Sequence, residues 1–405
     1  MSQNDSVHTM KARLWTKPYI MILIANLAVY FSFHMLLPTL PLYISQLKVT
    51  PDIIGLVMGS FTITALAARP FIGRILDTKD RKKVYLAGLL IAFAAIYGYS
   101  IFPLVLFVLI CRLIHGLGWG ITTTAIGTIL SDLVPQVRLA EGLGYAGVVN
   151  VVSMAISPMV GLYVAGHWGF QNLFYISAFL SMLGIVLGTL IPYPMRIAPQ
   201  GQRLINPQKN VSGFMATAFE KRAYLPAIIA IFTSMAYGSL MTCLTLYAAE
   251  LNINNIGIFF SVYAVTSIMT RPFIGRLSDQ KGYSIAIIPG IIFFSLSLLL
   301  LFLAQNIYFF IAAAVLYGLG NCALQPTLQA MAVKKVPQER RGAANSTYYS
   351  GIDIGIAIGM VLSGFLAKAA GYSIMYLLFI IPMFLSLIIY ILAVKTILAN
   401  RSQNR

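Results

Sequence analysis

Long apolar runs separated by short polar segments make up most of this chain. Each run holds roughly 20 residues or more, and a helix that rises about 1.5 Å per residue crosses a hydrocarbon core of about 30 Å over that length. We take the turn-forming and charged residues between the runs as boundaries. They predict twelve membrane-spanning helices, at residues 19–45, 52–76, 83–102, 104–132, 139–166, 169–192, 223–249, 254–277, 283–304, 306–334, 341–368 and 371–396.

One long polar stretch, at residues 193–222, interrupts this pattern between the sixth and seventh predicted spans. Its proline, glycine and charged residues are typical of a loop or a surface helix that links two halves. The pattern therefore predicts an all-α membrane protein with one six-helix bundle at 19–192 and a second at 223–396. Residues 1–18 and 397–405 are expected to form short cytoplasmic ends.

The composition agrees with a protein that has lipid as its solvent. Hydrophobic residues make up 59% of the chain and charged residues 10%, whereas soluble domains carry about 25% charged residues. The apolar stretch after Lys17 is too long for a signal-peptide core and has no small-residue cleavage site, so we expect an uncleaved first span. Cys111, Cys243 and Cys322 fall within predicted spans, where thiols act as small hydrophobes. We expect no disulfide framework, metal site or other cofactor.

The formal net charge of +17 would suit nucleic-acid binding. The positions of the basic residues distinguish a nucleic-acid-binding protein from a membrane protein. With the amino terminus inside, 23 of the 28 Lys and Arg residues lie in cytoplasmic segments, while the outer loops hold Lys48 and Lys368. Basic residues resist translocation and favour the anionic cytoplasmic leaflet. We therefore predict a multi-pass protein of a bacterial plasma membrane, with both termini cytoplasmic, monomeric and without a nucleic-acid partner.

An internal repeat divides the chain into two related halves. The hexapeptide RPFIGR occurs at 69–74 and again at 271–276, an offset of 202 residues. The same offset aligns Gly55 with Gly257 and Pro135 with Pro337. One register across several helices indicates a duplicated six-helix unit, an arrangement that places a cavity between the halves and lets one half rock against the other.

The segment GRILDTKDRKK, from Gly73 to Lys83, and its echo GRLSDQKG, from Gly275, resemble the signature that follows the second span in the major facilitator superfamily. The resemblance covers essentially the whole chain, and it implies twelve helices in two pseudo-symmetric bundles and a transport function. Asp80 departs from the family pattern, which usually has glycine there. The second copy does have a glycine, Gly282.

The repeated signature residues are expected to serve gating or conformational change. Gly73 and Gly275 allow close helix approach, and Arg81 belongs to the basic cluster of the signature. Asp77 and Asp279 can lie against the positive amino-terminal ends of opposing helices, an interaction worth about 0.3–1 kcal/mol at exposed sites. The resemblance implies that these opposing helices are the fifth and eleventh spans.

The fifth span resembles the superfamily's antiporter motif, a series of spaced glycines with a Gly-Pro pair. Here the motif positions hold Gly144, Ser153, Ser157, Pro158 and Gly161, so serine replaces glycine twice. Pro158 removes one backbone hydrogen bond and Gly161 permits close packing, which together make a pliable helix. The motif favours export, although its degenerate form leaves an importer open.

Residues that differ between the halves are better candidates for specific chemistry than residues that both halves share. The unmatched pairs at the 202-residue offset are Arg112 and Ala314, His115 and Tyr317, Asp353 and Val151, His34 and Ala236, and Pro158 and Met360.

Arg112 and His115 lie in the sequence LICRLIHGLGWG of the fourth span, which resembles the superfamily's drug-exporter motif. The usual polar residue at the second position is glutamine. The two residues are three apart and so share one helix face, where they can share a partner and affect each other's protonation. We predict a role in proton coupling; the alternative is packing alone.

Asp353 is the one carboxylate deep within a predicted span. It continues a helical polar stripe with Asn345, Ser346, Tyr349 and Ser350. Desolvation disfavours a lone carboxylate there, so Asp353 is a candidate to bind a proton or a substrate charge. The alternative is a structural pair with neighbouring polar groups.

His34 lies in the first span, four residues before the segment PTLP that begins at Pro38. It is a further candidate for proton coupling. The alternative for His34 is a neutral, hydrogen-bonded ring.

Polar and aromatic residues within the spans are expected to line a substrate cavity, in which aromatic rings can stack on an amphipathic substrate. The candidates are Asn26, His34, Trp119, Asn150, Tyr237 and Tyr349. Paired carboxylates, a metal-ligand cluster, or a nucleophile with its base do not appear together in the sequence, so an enzyme is not expected. The leading hypothesis is a proton-coupled exporter of small amphipathic compounds; the alternatives are an importer that is a proton symporter and a membrane sensor without transport.

Overall fold

The computed structural model describes residues 13–135, 138–193, 220–334, 336 and 341–403. Within these residues every regular element is a helix, and no strand occurs. The helices are α1 (Lys17–Gln46), α2 (Pro51–Thr78), α3 (Arg81–Gly98), α4 (Val105–Leu133), α5 (Leu139–Leu190), α6 (Tyr224–Glu250), α7 (Gly257–Lys281), α8 (Ser284–Phe302), α9 (Ile307–Val333), α10 (Arg341–Leu378) and α11 (Ile380–Gln403), with a 3₁₀ turn at Lys221–Ala223.

Several helices begin where a side chain can accept a hydrogen bond from the first free backbone amides. Asp80 accepts from the amide of Lys82 at 2.9 Å and so starts α3, two residues before the predicted span. Asn306 does the same for α9 with the amide of Tyr308, at 3.1 Å. Such caps are worth about 1 kcal/mol and fix helix starts that apolar patterning leaves open.

Eight helical segments among the described residues are long and apolar enough to cross a membrane. They lie at 17–46, 51–69, 105–130, 145–190, 221–250, 284–302, 307–333 and 344–394. The number of twelve spans stays a prediction. Two of the eight segments each cover most of two predicted spans, and the more polar helices α3 and α7 are not among the eight.

The chain forms two compact units. Among the described residues, unit 1 consists of those at 13–39 and 63–193, and unit 2 of those at 40–62 and 220–403. The predicted amino-terminal bundle differs from unit 1 in one respect, since residues 40–62 make their contacts with the carboxy-terminal part of the chain. Residues 194–219 of the predicted linker and residues 1–12 lie outside the described residues, whereas α11 extends into the predicted tail as far as Gln403.

The repeat is visible in the packing inside each unit. In unit 1, Gly118 of α4 lies against the backbone of Gly88 in α3, so that a Cβ on Gly118 would lie 2.8 Å from the Gly88 oxygen. In unit 2, a Cβ on Gly320 of α9 would lie at the same 2.8 Å from the oxygen of Gly290 in α8. Both pairs are related by the 202-residue offset, so each unit uses the same glycine contact to bring two helices together.

A second repeated feature is a break in each of the two longest helices. Gly169 in α5 has φ 82° and ψ 165°, and Gly371 in α10, 202 residues later, has φ 83° and ψ 164°. Side chains disfavour this backbone region, which is why glycine occupies both positions. Each break separates two predicted spans.

Residues 40–62 pack on α10 within unit 2. The Asp52 carboxylate accepts a hydrogen bond from the Lys368 ammonium group at 3.0 Å, and a Cβ on Gly55 would lie 2.6 Å from the oxygen of Met360. Gly364 faces the same contact from α10. The ion pair and the glycine contact attach this segment to unit 2 along about two helical turns.

Candidate functional site

Helix α4 presents Arg112 and His115 to the interior of unit 1, where each is 1% exposed. Their spacing of three residues puts both on one face of the helix. Tyr99, the residue that ends α3, meets them there and is itself fully buried. Its hydroxyl lies 3.3 Å from Nδ1 of His115 and is a hydrogen-bond partner of the Arg112 guanidinium. The partner shared by Arg112 and His115 is therefore a tyrosine.

An aromatic group continues from this cluster toward α1. The Phe33 ring lies edge-on to His115, with ring centroids 6.0 Å apart, and stacks on Trp119 at 3.9 Å. Tyr30 lies edge-on to Trp119 at 5.7 Å and is a hydrogen-bond partner of Asn150 in α5. Trp119, Tyr30 and Asn150 are half-buried, so part of this aromatic and amide surface is accessible.

His34 begins a second polar chain between α1 and α5. Its Nδ1 lies 3.0 Å from the Ser153 hydroxyl, which lies 3.2 Å from the Ser157 hydroxyl one turn along α5. Ser157 also donates to the Ser153 carbonyl oxygen. Phe33 contacts the His34 ring as well, at 5.4 Å between centroids, and so lies between the two histidines.

Pro158 and Gly161 follow directly on α5. A Cβ on Gly161 would lie 2.7 Å from the Met35 oxygen, so the backbones of α1 and α5 touch there. Pro158, one turn before, is buried inside the helix. The predicted pliable segment thus lies between the Ser153–Ser157 chain and a tight backbone contact.

Beside Arg112 and His115, the opposite face of α4 is apolar. Leu113, Ile114 and Leu117 line a groove of about 420 Å³ with Phe71 of α2. A larger apolar groove of about 540 Å³ lies in unit 2 between α8 and the junction of α10 with α11. Neither groove includes a predicted site residue. At the level of Arg112 and His115, the polar side chains of α4 therefore lie on one face and apolar side chains on the other.

In unit 2, Asp353 lies half-buried on α10, about 18 Å along the helix from Arg341 at a rise of 1.5 Å per residue. Tyr349, one turn earlier, is exposed, and its hydroxyl accepts a hydrogen bond from the Gln329 side chain of α9 at 2.9 Å. Gln329 also reaches Asn345, at 3.4 Å. The predicted polar stripe of α10 thus has a glutamine from α9 as a partner.

Tyr237 belongs to an aromatic cluster of unit 2. Its ring stacks on Tyr317 at 6.5 Å, and Tyr317 also contacts Tyr263 at 4.6 Å and Phe294 at 4.8 Å. Tyr317 occupies the position that corresponds to His115. At this register, an aromatic cluster in unit 2 replaces the charged and titratable cluster of unit 1.

Of the predicted gating residues, Gly73 and Asp77 lie in α2, and Gly275 and Asp279 lie in α7; the structure describes no more of these four residues than their place in the helix. Arg81 is described, and its guanidinium forms an ion pair with Asp132 at the end of α4, at 2.5 Å. Tyr193 donates to the same carboxylate.

Burial, together with that hydrogen bond, raises the pKa of the Tyr193 hydroxyl to about 12. The residues that correspond to Arg81 and Asp132 in unit 2 are Tyr283 and Lys334. There the Lys334 ammonium group lies 5.0 Å from the centroid of the Tyr283 ring.

The structure therefore brings His115, Arg112, Trp119, His34 and Asn150 into one connected region of unit 1. Asn26 is buried in α1, one turn from Tyr30. Asp353, Tyr237 and Tyr349 belong to unit 2. The roles proposed for these residues stay predictions.

Sequence reasoning missed Tyr99, Phe33 and Tyr30. The signal that could have found Tyr99 is the internal repeat, because the residue 202 positions later is Leu301. Among the described residues there is no group of three or more His, Cys, Asp or Glu side chains that could hold a metal ion.

Comparison with known proteins places this geometry in a family context. The family model described as Major Facilitator Superfamily matches residues 22–254 and 226–404. The staphylopine export protein of Staphylococcus aureus is 23% identical over 372 residues, which cover 89% of this chain and 92% of that protein. The multidrug resistance protein MdtG of Escherichia fergusonii is 26% identical over 368 residues, covering 85% and 86%.

The backbone also resembles solved transporters. A crystal structure of a mutant of the nucleoside transporter NupG matches with a TM-score of 0.77 over 92% of this chain and 100% of that one. The sequences are 15% identical, so this likeness shows a shared fold alone.

Proposed function

Because the chain belongs to the major facilitator superfamily, we propose that it is a proton-coupled secondary transporter that exports small amphipathic compounds, such as drugs or metabolites, by alternating access. The superfamily match supports transport. The similarity to a staphylopine exporter and to a multidrug resistance protein supports export.

The membrane topology we propose is twelve crossings with both termini in the cytoplasm. The apolar segments 145–190 and 344–394 hold 46 and 51 residues. At a rise of about 1.5 Å per residue each is roughly twice as long as a hydrocarbon core of about 30 Å, and each contains a glycine break. The helices α3 and α7 are also long enough to cross. The 23 basic residues on the proposed cytoplasmic side support the orientation.

The observation that carries the coupling is the buried cluster of Arg112, His115 and Tyr99. A guanidinium in a membrane-spanning helix costs several kcal/mol unless protein groups solvate it, so such residues are retained mainly where they serve function. Arg112 lies about 10 Å from the start of α4 at 1.5 Å per residue. In the proposed orientation α4 starts on the outer side, so the cluster is near the side from which protons enter.

Asp353 in unit 2 is the second proposed proton-binding group. It can be neutralised by a proton and so exchange one charge per cycle. One charge that moves through about 100 mV releases about 2.3 kcal/mol. Since each 1.4 kcal/mol is tenfold, this energy supports a substrate gradient of nearly fifty-fold.

Everted membrane vesicles test the proposal. With a panel of fluorescent amphipathic dyes that includes ethidium, we expect accumulation that requires a proton gradient and stops when a protonophore is added. Accumulation that survives the protonophore would exclude proton coupling. Uptake by right-side-out vesicles along with protons would support the importer. Vesicles that bind dye without concentrating it would support a sensor.

A further inference from the structure

Tyr99 lies at the carboxy-terminal end of α3 and contacts both groups of the proposed coupling cluster. We propose that Tyr99 is a positioning residue: its hydroxyl accepts a hydrogen bond from Arg112, donates one to His115, and thereby holds the His115 ring in the tautomer that carries its proton on Nε2. The inference rests on the proposed function for its role in transport, whereas its structural part can be tested alone.

The direction of the hydrogen bonds follows from the chemistry of the three groups. A guanidinium has donors and no acceptor, so its hydrogen bond with Tyr99 must end on the phenol oxygen. The single phenol proton is then free for the other contact, at Nδ1 of His115, 3.3 Å away. A neutral imidazole that accepts at Nδ1 carries its proton on Nε2. The three side chains are almost fully buried, so water competes little for these bonds.

The same geometry makes the phenol responsive to a proton. A doubly protonated imidazole donates from both nitrogens, so Tyr99 would have to accept from His115 as well as from Arg112. Its own proton would then need another acceptor. Within the described residues, the titratable groups beside Tyr99 include Arg112, His115 and Cys111. Proton uptake at His115 is thus tied to a reversal of one hydrogen bond at the end of α3.

The internal repeat supports a role beyond packing. The residues that correspond to Tyr99, Arg112 and His115 are Leu301, Ala314 and Tyr317. Leu301 and Ala314 have no polar side-chain atom, and yet unit 2 keeps the glycine contact that pairs the two corresponding helices. An apolar residue is therefore sufficient at the end of that helix for packing. All three members of the cluster differ from the residues at the corresponding positions of unit 2.

Tyr99→Phe removes the hydroxyl and keeps the ring, which packs on Phe174 with centroids 5.6 Å apart. Tyr85→Phe is the matched control, because Tyr85 is a fully buried tyrosine of α3 that lies 14 residues, or about 20 Å along the helix, before Tyr99. Full-length protein labelled with ¹⁵N-histidine is reconstituted in lipid bilayers. Its ring nitrogens are observed by solid-state NMR, with the His115 signals assigned from a His115→Gln sample.

We expect a single His115 tautomer with an unprotonated Nδ1 in the wild type and in Tyr85→Phe, and a mixture of tautomers in Tyr99→Phe. An unchanged His115 spectrum in Tyr99→Phe would overturn the inference, as would a wild-type ring with its proton on Nδ1. Ethidium transport in everted vesicles is the second measurement. We expect about a tenfold lower proton-driven rate for Tyr99→Phe with an unchanged apparent KM, a difference of about 1.4 kcal/mol in barrier height.

The two measurements separate the possible failures. If the tautomer changes while the proton-driven rate does not, Tyr99 positions His115 but the cluster does not carry coupling, which contradicts the proposed function. If neither variant transports and the tautomer still changes in Tyr99→Phe alone, the positioning role stands on the spectrum.

Discussion

Two corresponding helix pairs, α1 with α5 in unit 1 and α6 with α10 in unit 2, pack in different ways. In unit 2, Gly351, Gly355 and Gly359 form a stripe along α10 that lies directly against the backbone of α6. A Cβ on Gly351 would lie 2.6 Å from the oxygen of Ala227, and the contacts of Gly355 with Ile231 and of Gly359 with Met235 are closer still.

The corresponding stripe on α5 is Val149, Ser153 and Ser157. At these three positions side chains occupy the space that is backbone contact in unit 2, although α1 and α5 still touch at Gly161. His34 completes a hydrogen-bonded chain where unit 2 has Ala236. Contact between glycines of one helix and the backbone of the next leaves one close arrangement of the two helices. Hydroxyl and imidazole groups can exchange partners, so we infer that the α1 and α5 pair is the more adjustable of the two.

The largest expected effect is that of Gly359→Ser, which gives unit 2 the residue that unit 1 has at the corresponding position, Ser157. The new Cβ would collide with the Met235 backbone, which cannot move aside as a flexible side chain does. We expect a loss of stability of about 3 kcal/mol or more, at the upper end for overpacked cores. Thermal unfolding in detergent and the yield of monodisperse protein measure it. The reciprocal variant, Ser157→Gly, should remain folded; equal melting temperatures for Gly359→Ser and the wild type would contradict the comparison.

The two helix breaks test whether the units share their backbone despite different side chains. Gly169→Ala and Gly371→Ala place a side chain in a backbone region that costs about 1–3 kcal/mol. Because the two glycines have nearly the same φ and ψ, and because both have open space for a Cβ, the two melting temperatures should fall by the same amount. Gly166→Ala is the control, since Gly166 is helical and open and should tolerate alanine. Unequal losses would show that the surroundings of the breaks differ in energy.

Arg112→Ala gives unit 1 the residue that unit 2 has at this register, Ala314. We expect proton-driven dye transport to fall at least about tenfold, or 1.4 kcal/mol in barrier height, because the cluster loses its charge. The melting temperature should change little, since unit 2 packs the corresponding helices without this side chain. Arg112→Lys should recover part of the rate, as lysine keeps the charge but not the planar donor geometry.

Asp353→Asn is the parallel test in unit 2, with dye binding followed by thermal shift. Should Arg112→Ala and Asp353→Asn both bind and transport as the wild type does, the assignment of the site to these residues is wrong.

The smallest effect is expected at the Arg81–Asp132 ion pair of unit 1 and at the corresponding contact of unit 2, where the Lys334 ammonium group lies over the Tyr283 ring. Asp132→Asn and Lys334→Gln should each cost about 0.5 kcal/mol, the usual size for partly exposed pairs. Salt near 1 M reduces the screening length to about 3 Å, so it should lower the cost of Asp132→Asn. Melting temperatures at low and high salt give the comparison. An effect of Asp132→Asn that does not depend on salt would show that hydrogen bonding from Tyr193, and not charge, stabilises this end of unit 1.

The sequence alone predicted the features that depend on local periodicity and on duplication. Apolar runs of membrane length predicted helices, the RPFIGR repeat predicted two related halves, and the spacing of Arg112 and His115 predicted that they share a face. Each of these inferences requires only the geometry of one helix or a comparison of the chain with itself, which is why sequence alone can make them. The family model confirmed the resemblance to the major facilitator superfamily.

Only the tertiary structure showed which groups meet. Tyr99 reaches His115 from another helix, and Ser153 reaches His34 across 119 residues of sequence. Residues 40–62 belong by sequence to the first half and by contact to unit 2, because the Asp52 ion pair and the contact of Gly55 with α10 depend on how helices pack. Sequence periodicity assigns a side chain to a face of its own helix. The partner on that face depends on the approach of a second helix, which in this protein is controlled by whether glycine or a larger side chain occupies the contact.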